Sequence, residues 1–344
     1  MAASSLPPLP TTVVGSYALP SWYWAALEKI EAGGFGPMDV AETEDDAVET
    51  ALRDQERAGI DVISDGEMRR QGFIVSTFNY FSGLEALAPR RKIGILSYDG
   101  HTIWQPTGRI GAPRGLGMLR ELEYLKRATT KPFKITTPGP LTLATQIRPA
   151  GPYKHRLDIA ADLATIINAE LRALAAAGAR NLQIDEVFQS FSMEPKQVVE
   201  LYNRCVEGVA VDRLFFHICF GTLEGFSFSE RSYRPLFPAI NDVRADQLVF
   251  EFANREMSEI SLWQEFACPK ELGAGVIDLK SFYVEKPDVV AQRIRRLLEA
   301  GVPRERLWLN PDCGLARLPR YLGFAKLSAL VAGTRIVREE MGRP

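Results

Sequence analysis

Leu174-Ala-Ala-Ala-Gly178-Ala-Arg-Asn181-Leu-Gln-Ile-Asp185-Glu186 decides the fold. Residues 158–177 read as a helix that opens on an acidic residue and stops before Gly178, where glycine takes the left-handed C-cap. Three residues later comes a short apolar run, 181–185, closed by two carboxylates. The same joint recurs where 43–58 meets Gly59 and where 288–300 meets Gly301. Outward from these joints, strand-like runs fall at 11–17, 61–65, 133–137, 181–185, 213–219, 248–252, 273–279 and 306–310. Eight strands alternating with helices point to an α/β chain folded as a (β/α)8 TIM barrel rather than a doubly wound sheet. The helix expected at 321–337 reads as outer-layer packing.

One stretch breaks the rhythm. Residues 92–117 are rich in Gly, Pro, Tyr and Trp, with short alternating runs on either side of Asp99-Gly100. Asp-Gly in that setting is a hairpin signal, so an inserted ribbon or lid is expected after the second strand. No repeat or linker divides the rest, and a single barrel domain over 11–342 is expected after a loose, Pro-rich arm at 1–10. The net charge of −2 offers no footprint for nucleic acid or anionic membrane. No run of about 18 apolar residues is present to span a bilayer. Four widely spaced cysteines make no disulfide framework, and a cytoplasmic, reducing location is the simpler reading.

Chemistry in such a barrel gathers at the C-terminal ends of the strands. Polar residues sit there at almost every strand: Gly15-Ser16, Asp65 and Glu67, Asp185 and Glu186, His217 and Cys219, Glu251, Asp278 and Lys280, and Asn310 to Cys313. In Leu214-Phe-Phe-His-Ile-Cys219 the imidazole and the thiol, two residues apart on a strand, lean to the same side. Alone, His-x-Cys reads more often as a buried cysteine beside a satisfied histidine. With Cys313 at the end of the eighth strand, it becomes a nitrogen-and-sulfur shell suited to zinc. Glu251 stands between phenylalanines, where an unpaired carboxylate is costly, and a metal ion would relieve that cost. The shell read from the residues is therefore His217, Cys219, Glu251 and Cys313. Metal coordination lowers a thiol's pKa and keeps it nucleophilic. That chemistry favours alkyl transfer to sulfur over hydrolysis, which prefers His-rich shells.

These residues resemble the catalytic barrel of the cobalamin-independent methionine synthase superfamily, in its short single-domain form. The resemblance runs through Val14-Gly15-Ser16, Ser64-Asp-Gly-Glu67, Lys131 to Pro140, Gln183-Ile-Asp-Glu186, His217-Ile-Cys219, Glu251, Gly275-Val-Ile-Asp278 and Asn310-Pro-Asp-Cys313. It implies a zinc-dependent methyltransferase that makes methionine from homocysteine, with zinc on the same four residues. It also implies that Gly15 and Ser16 hold the substrate carboxylate while Glu67 and Asp185 hold its amine. Two carboxylates around one ammonium leave neither charge unpaired. The competing reading pairs those acids with Arg69 and Arg70.

The departures bear on the methyl donor. Full-length relatives carry a histidine shortly after the strand-seven Asp, where this chain has Lys280. Gln146 stands where they place a tryptophan, and Phe191 where they place a folate-binding carboxylate. Their N-terminal half has no counterpart in these 344 residues. A folate amine leaves badly unless protonated, whereas a cobalt(I) corrinoid needs no proton. The donor is thus read as a methyl-corrinoid, or methyltetrahydrofolate delivered with help, with a corrinoid or accessory protein as partner. Asp278 and Lys280 are the candidate catalytic residues. A second reading is a zinc alkyltransferase for another thiol, such as an epoxyalkane:coenzyme M transferase, with Lys280 or Tyr98 as proton donor. It would use cations such as Arg69 and Arg70 for the sulfonate.

Overall fold

The computed structural model describes residues 6–70, 72, 74–88, 102–187, 194–221 and 231–342. Six parallel strands lie in chain order: β3 (Ile135–Pro138), β4 (Asn181–Glu186), β5 (Arg213–Ile218), β6 (Gln247–Glu251), β7 (Glu271–Ile277) and β8 (Leu307–Pro311). Two further segments continue the ring from β8 back to β3, through isolated parallel bridges Thr11–Leu309, Thr12–Val62 and Ile63–Phe133. The architecture is the (β/α)8 barrel.

The first two staves are shorter than the sequence suggests, and side chains explain why. Beyond Thr12, the carbonyl of Val14 accepts from Gln183 Nε2 and that of Gly15 from Ser64 Oγ. The backbone of Ser64 is held at both its N–H and its carbonyl by the Gln55 amide. Groups that would otherwise extend a ladder are satisfied locally, and the pairing ends.

The helix–glycine joints form as read. Helices Pro37–Ala58, Arg156–Ala176 and Pro287–Glu299 lead to Gly59, Gly178 and Gly301, whose φ angles are 88°, 91° and 88°. The first begins six residues before its expected start, because Pro37 supplies a pre-set first turn. Between β6 and β7 the only α-helix is the four-residue Leu262–Glu265, preceded by a 3-10 turn at Ala253–Arg255. The last helix, Arg320–Met341, buries Leu322, Leu327, Leu330 and Val337, the outer-layer packing expected of it. No helix among the described residues is long and apolar enough to cross a membrane.

The inserted ribbon is an antiparallel pair, β1 (Ser82–Leu87) with β2 (Ile103–Gly111). It starts ten residues before the expected boundary, in a stretch whose polarity does not alternate. The Asp99-Gly100 turn, with Tyr98 and His101, lies outside the described residues, as does Phe191. The segment read as a loose arm is packed over its second half. Leu9 is fully buried, Pro10 accepts a hydrogen bond from Leu309, and Arg338 donates to the carbonyls of Pro8 and Leu9.

Two cores result. The larger fills the space between sheet and helices. The smaller plugs the barrel itself with Val14, Val62, Phe215, Val249 and Trp308. Strand register builds the site above this plug: Asp185 is paired with His217, and His217 with Val249. Side chains alternate along each strand, so Phe215 in the plug puts His217 on the interior face one row higher, at the rim.

Candidate metal centre

His217, Cys219 and Cys313 converge there. Their ligand atoms all lie within 4.8 Å of one another, with the two sulfurs 3.5 Å apart. His217 Nδ1 is 3.2 Å from the Val249 carbonyl. That oxygen can only accept, so Nδ1 carries a proton and, in the neutral imidazole, Nε2 keeps its lone pair. Nε2 is buried, with the Cys313 sulfur beside it. The Cys219 thiol beside it, with His217, holds Cys313 well below the usual thiol range. The same contact, with burial, pushes Cys219 well above it. Of the two thiols, Cys313 is thus the more readily deprotonated.

Glu251 is not part of this three-residue cluster. It is fully buried, with Oε1 3.3 Å from Lys280 Nζ and Oε2 without a hydrogen bond. Burial raises its pKa against the pull of Lys280. Lys280 is thus tied to a carboxylate of the site. Asp278 uses its Oδ1 to accept from the backbone of Lys280, shaping the turn that carries that lysine.

The donor set fits a zinc ion on observations of this structure alone. A tautomer-fixed imidazole offers a buried lone pair, two sulfurs stand side by side, and a buried carboxylate has an oxygen to spare. Soft sulfur with imidazole is the combination zinc takes.

Beside the cluster lie the other rim residues. Asp185 is buried; Gln183 Nε2 donates to its Oδ1 at 2.6 Å, and its Oδ2 makes no hydrogen bond among the described residues. Burial lifts its carboxyl to about 7, against His217 and Lys134. Glu67 is also buried, with Oε1 accepting from Thr136 Oγ1 at 2.6 Å and 3.5 Å from Arg70. Arg70 is held mainly by both oxygens of Glu121. Arg69 pairs with Glu44 and Asp45 and stacks over Tyr124, so it serves neither rim acid. Gly15 packs against Glu67 so closely that a methyl there would overlap its carboxylate. Ser16 lies against Gly314, the residue after Cys313.

Three supporting residues had no role in the sequence reading. Asp312 accepts the backbone N–H groups of Phe252, Ala253 and Asn254 at 2.9, 2.9 and 2.7 Å, pinning the loop after Glu251 to the residue before Cys313. Glu186 does the same for Leu141 and Thr142. Lys134, fully buried, donates to Gln183 Oε1 at 2.5 Å. Each stands inside a quoted motif, but a carboxylate or ammonium that serves the backbone or an amide has no spacing signature.

Similarity to known proteins agrees with this geometry. The family described as cobalamin-independent synthase, catalytic domain, matches residues 9–335. A methionine synthase of Sulfurisphaera tokodaii is 36% identical over 338 residues, 98% of this chain and 94% of the relative. One from Saccharolobus solfataricus is 34% identical over 342 residues, covering 99% and 98%. The structure of a B12-independent methionine synthase from a Shewanella species, in complex with selenomethionine, has a TM-score of 0.82 at 27% identity, over 97% of this chain and 99% of that one. On sequence and fold together, this chain belongs to the cobalamin-independent methionine synthase family.

Proposed function

We propose that this protein transfers a methyl group to the thiol of homocysteine, giving methionine, with zinc held by His217, Cys219, Cys313 and Glu251. The observation that carries the reading is the convergence of one imidazole and two sulfurs within 4.8 Å, with the imidazole in the same register row as Asp185. Zinc in that shell would supply a lowered pKa for the incoming thiol, making it a thiolate at neutral pH. The chain's own residues do the rest. Asp185 Oδ2 and Glu67 receive the ammonium, and the backbone of Gly15 with the Ser16 hydroxyl receives the carboxylate. Lys280 holds Glu251 from the side, and Asp278 holds the turn beneath Lys280.

The relative solved with selenomethionine supports an amino-acid ligand of this length. The donor is a methyl-corrinoid or methyltetrahydrofolate, presented by a corrinoid or accessory protein. A cytoplasmic location suits a site that needs reduced thiols, and none of the four cysteines is in a disulfide. The arginines that a sulfonate substrate would need are engaged: Arg69 with Glu44 and Asp45, Arg70 with Glu121. That favours homocysteine over coenzyme M. The test is methionine formation from homocysteine with methylcobalamin and methyltetrahydrofolate in parallel. Methionine from either donor supports the reading. Alkylation of coenzyme M alone defeats it.

A further inference from the structure

Lys134 is fully buried just below the rim, and among the described residues its Nζ has one hydrogen-bond acceptor, Gln183 Oε1 at 2.5 Å. Nζ also lies over the face of the Phe215 ring, 5.0 Å to the centroid. Among the described residues no carboxylate lies within ion-pair distance of it, although Asp185 and Glu67 are near enough to act on its charge. A buried ammonium in such a setting is costly.

Its geometry has one clear consequence. A glutamine amide has two nearly isosteric ends, and only hydrogen bonds choose between them. Burial pulls the Lys134 pKa down to about 7; its Nζ donates to Gln183, and in its charged form it can only donate, so the Oε1 end of the amide is turned toward it. Nε2 then faces two acceptors, Asp185 Oδ1 at 2.6 Å and the Val14 carbonyl at 2.7 Å. Reversed, the amide would set an oxygen against both oxygens and leave Nε2 facing an ammonium. One amide group therefore ties the acid of the amine subsite to the backbone that leads into Gly15 and Ser16. It fixes one oxygen of Asp185 and leaves the buried Oδ2 without a hydrogen-bond partner among the described residues.

We propose that Lys134, acting through Gln183, is the positioning residue that makes this site selective for an α-amino acid thiol. The inference rests on the homocysteine reading and deepens it. Lys134 touches neither substrate nor metal; it sets the geometry between the amine and carboxylate subsites.

The experiment is calorimetric titration of the zinc-loaded full chain with homocysteine and with 4-sulfanylbutanoate, which keeps the thiol and carboxylate but lacks the amine. The wild type is expected to prefer homocysteine by about tenfold or more. In Lys134→Met that preference falls to about twofold or less, while affinity for 4-sulfanylbutanoate stays within about threefold. Gln183→Glu keeps a partner for Lys134 but no donor for Asp185, and should show the same selective loss; it carries the test should Lys134→Met not fold. Variants that retain the wild-type preference, or lose both thiols in equal proportion, overturn the positioning role and leave the homocysteine reading standing. A wild type with no preference overturns the amine-site reading itself.

Discussion

Asp185 and His217 are register partners on adjacent strands β4 and β5, so the acid proposed to take the substrate's amine and the imidazole of the His–Cys–Cys cluster leave the barrel wall in one row. In the proposed site, strand pairing would thereby set the spacing between a substrate's amine and its sulfur.

Cys219→Ser and Cys313→Ser should each abolish zinc retention through dialysis while leaving the barrel folded. Loss of a polarizable sulfur at a partly polar rim should shift Tm by only about 2–4 °C. Metal analysis with circular dichroism checks both. Full zinc content in either variant would contradict the ligand set.

The Asp185 carboxyl, lifted to about 7 mainly by burial, titrates near about 4 in an unfolded chain. Between those values the folded protein holds a proton that the unfolded chain has lost, so stability of the metal-free protein falls as pH rises through that window. Asp185→Asn should flatten that part of the profile and weaken homocysteine binding far more than zinc binding. Denaturant midpoints at about pH 4.5 and about pH 7.5 read the first effect. An unchanged slope, or equal loss of both ligands, would argue against the assignment.

Lys280→Met removes the cation beside a fully buried carboxylate. Breaking such a pair costs about 3 kcal/mol or more, so the metal-free variant should lose roughly that much stability. Zinc loading should recover much of it, since Glu251 then gains a second cation. Equal destabilisation with and without zinc would place Glu251 outside the shell.

Much of this was legible in the sequence because it follows short-range rules. The glycine joints fix where helices end, and alternation along 213–219 puts His217 and Cys219 on one side before any coordinates are seen. Cys313 joins them only through closure of the barrel, which the count of eight strands implies. Glu251 reads in the sequence as the fourth ligand; in the structure it ends β6 with Oε1 beside Lys280, and that pairing with a residue beyond β7 is one that no local pattern encodes. Lys134 and Asp312 escaped for the same reason. Their partners are a distant amide and a distant backbone, and a lysine or aspartate in an apolar run does not announce which of these it serves. The ribbon boundary was missed because Ser82–Leu87 is a half-exposed strand without regular alternation.

The central claim is that His217, Cys219 and Cys313 converge on one zinc ion that takes the sulfur of homocysteine. X-ray absorption at the zinc edge tests it most directly, with homocysteine, coenzyme M and glutathione added in turn to the zinc-loaded protein. The account predicts two protein sulfurs in the resting shell and one more with homocysteine alone. A sulfur count unchanged by homocysteine, or raised by coenzyme M instead, would contradict it.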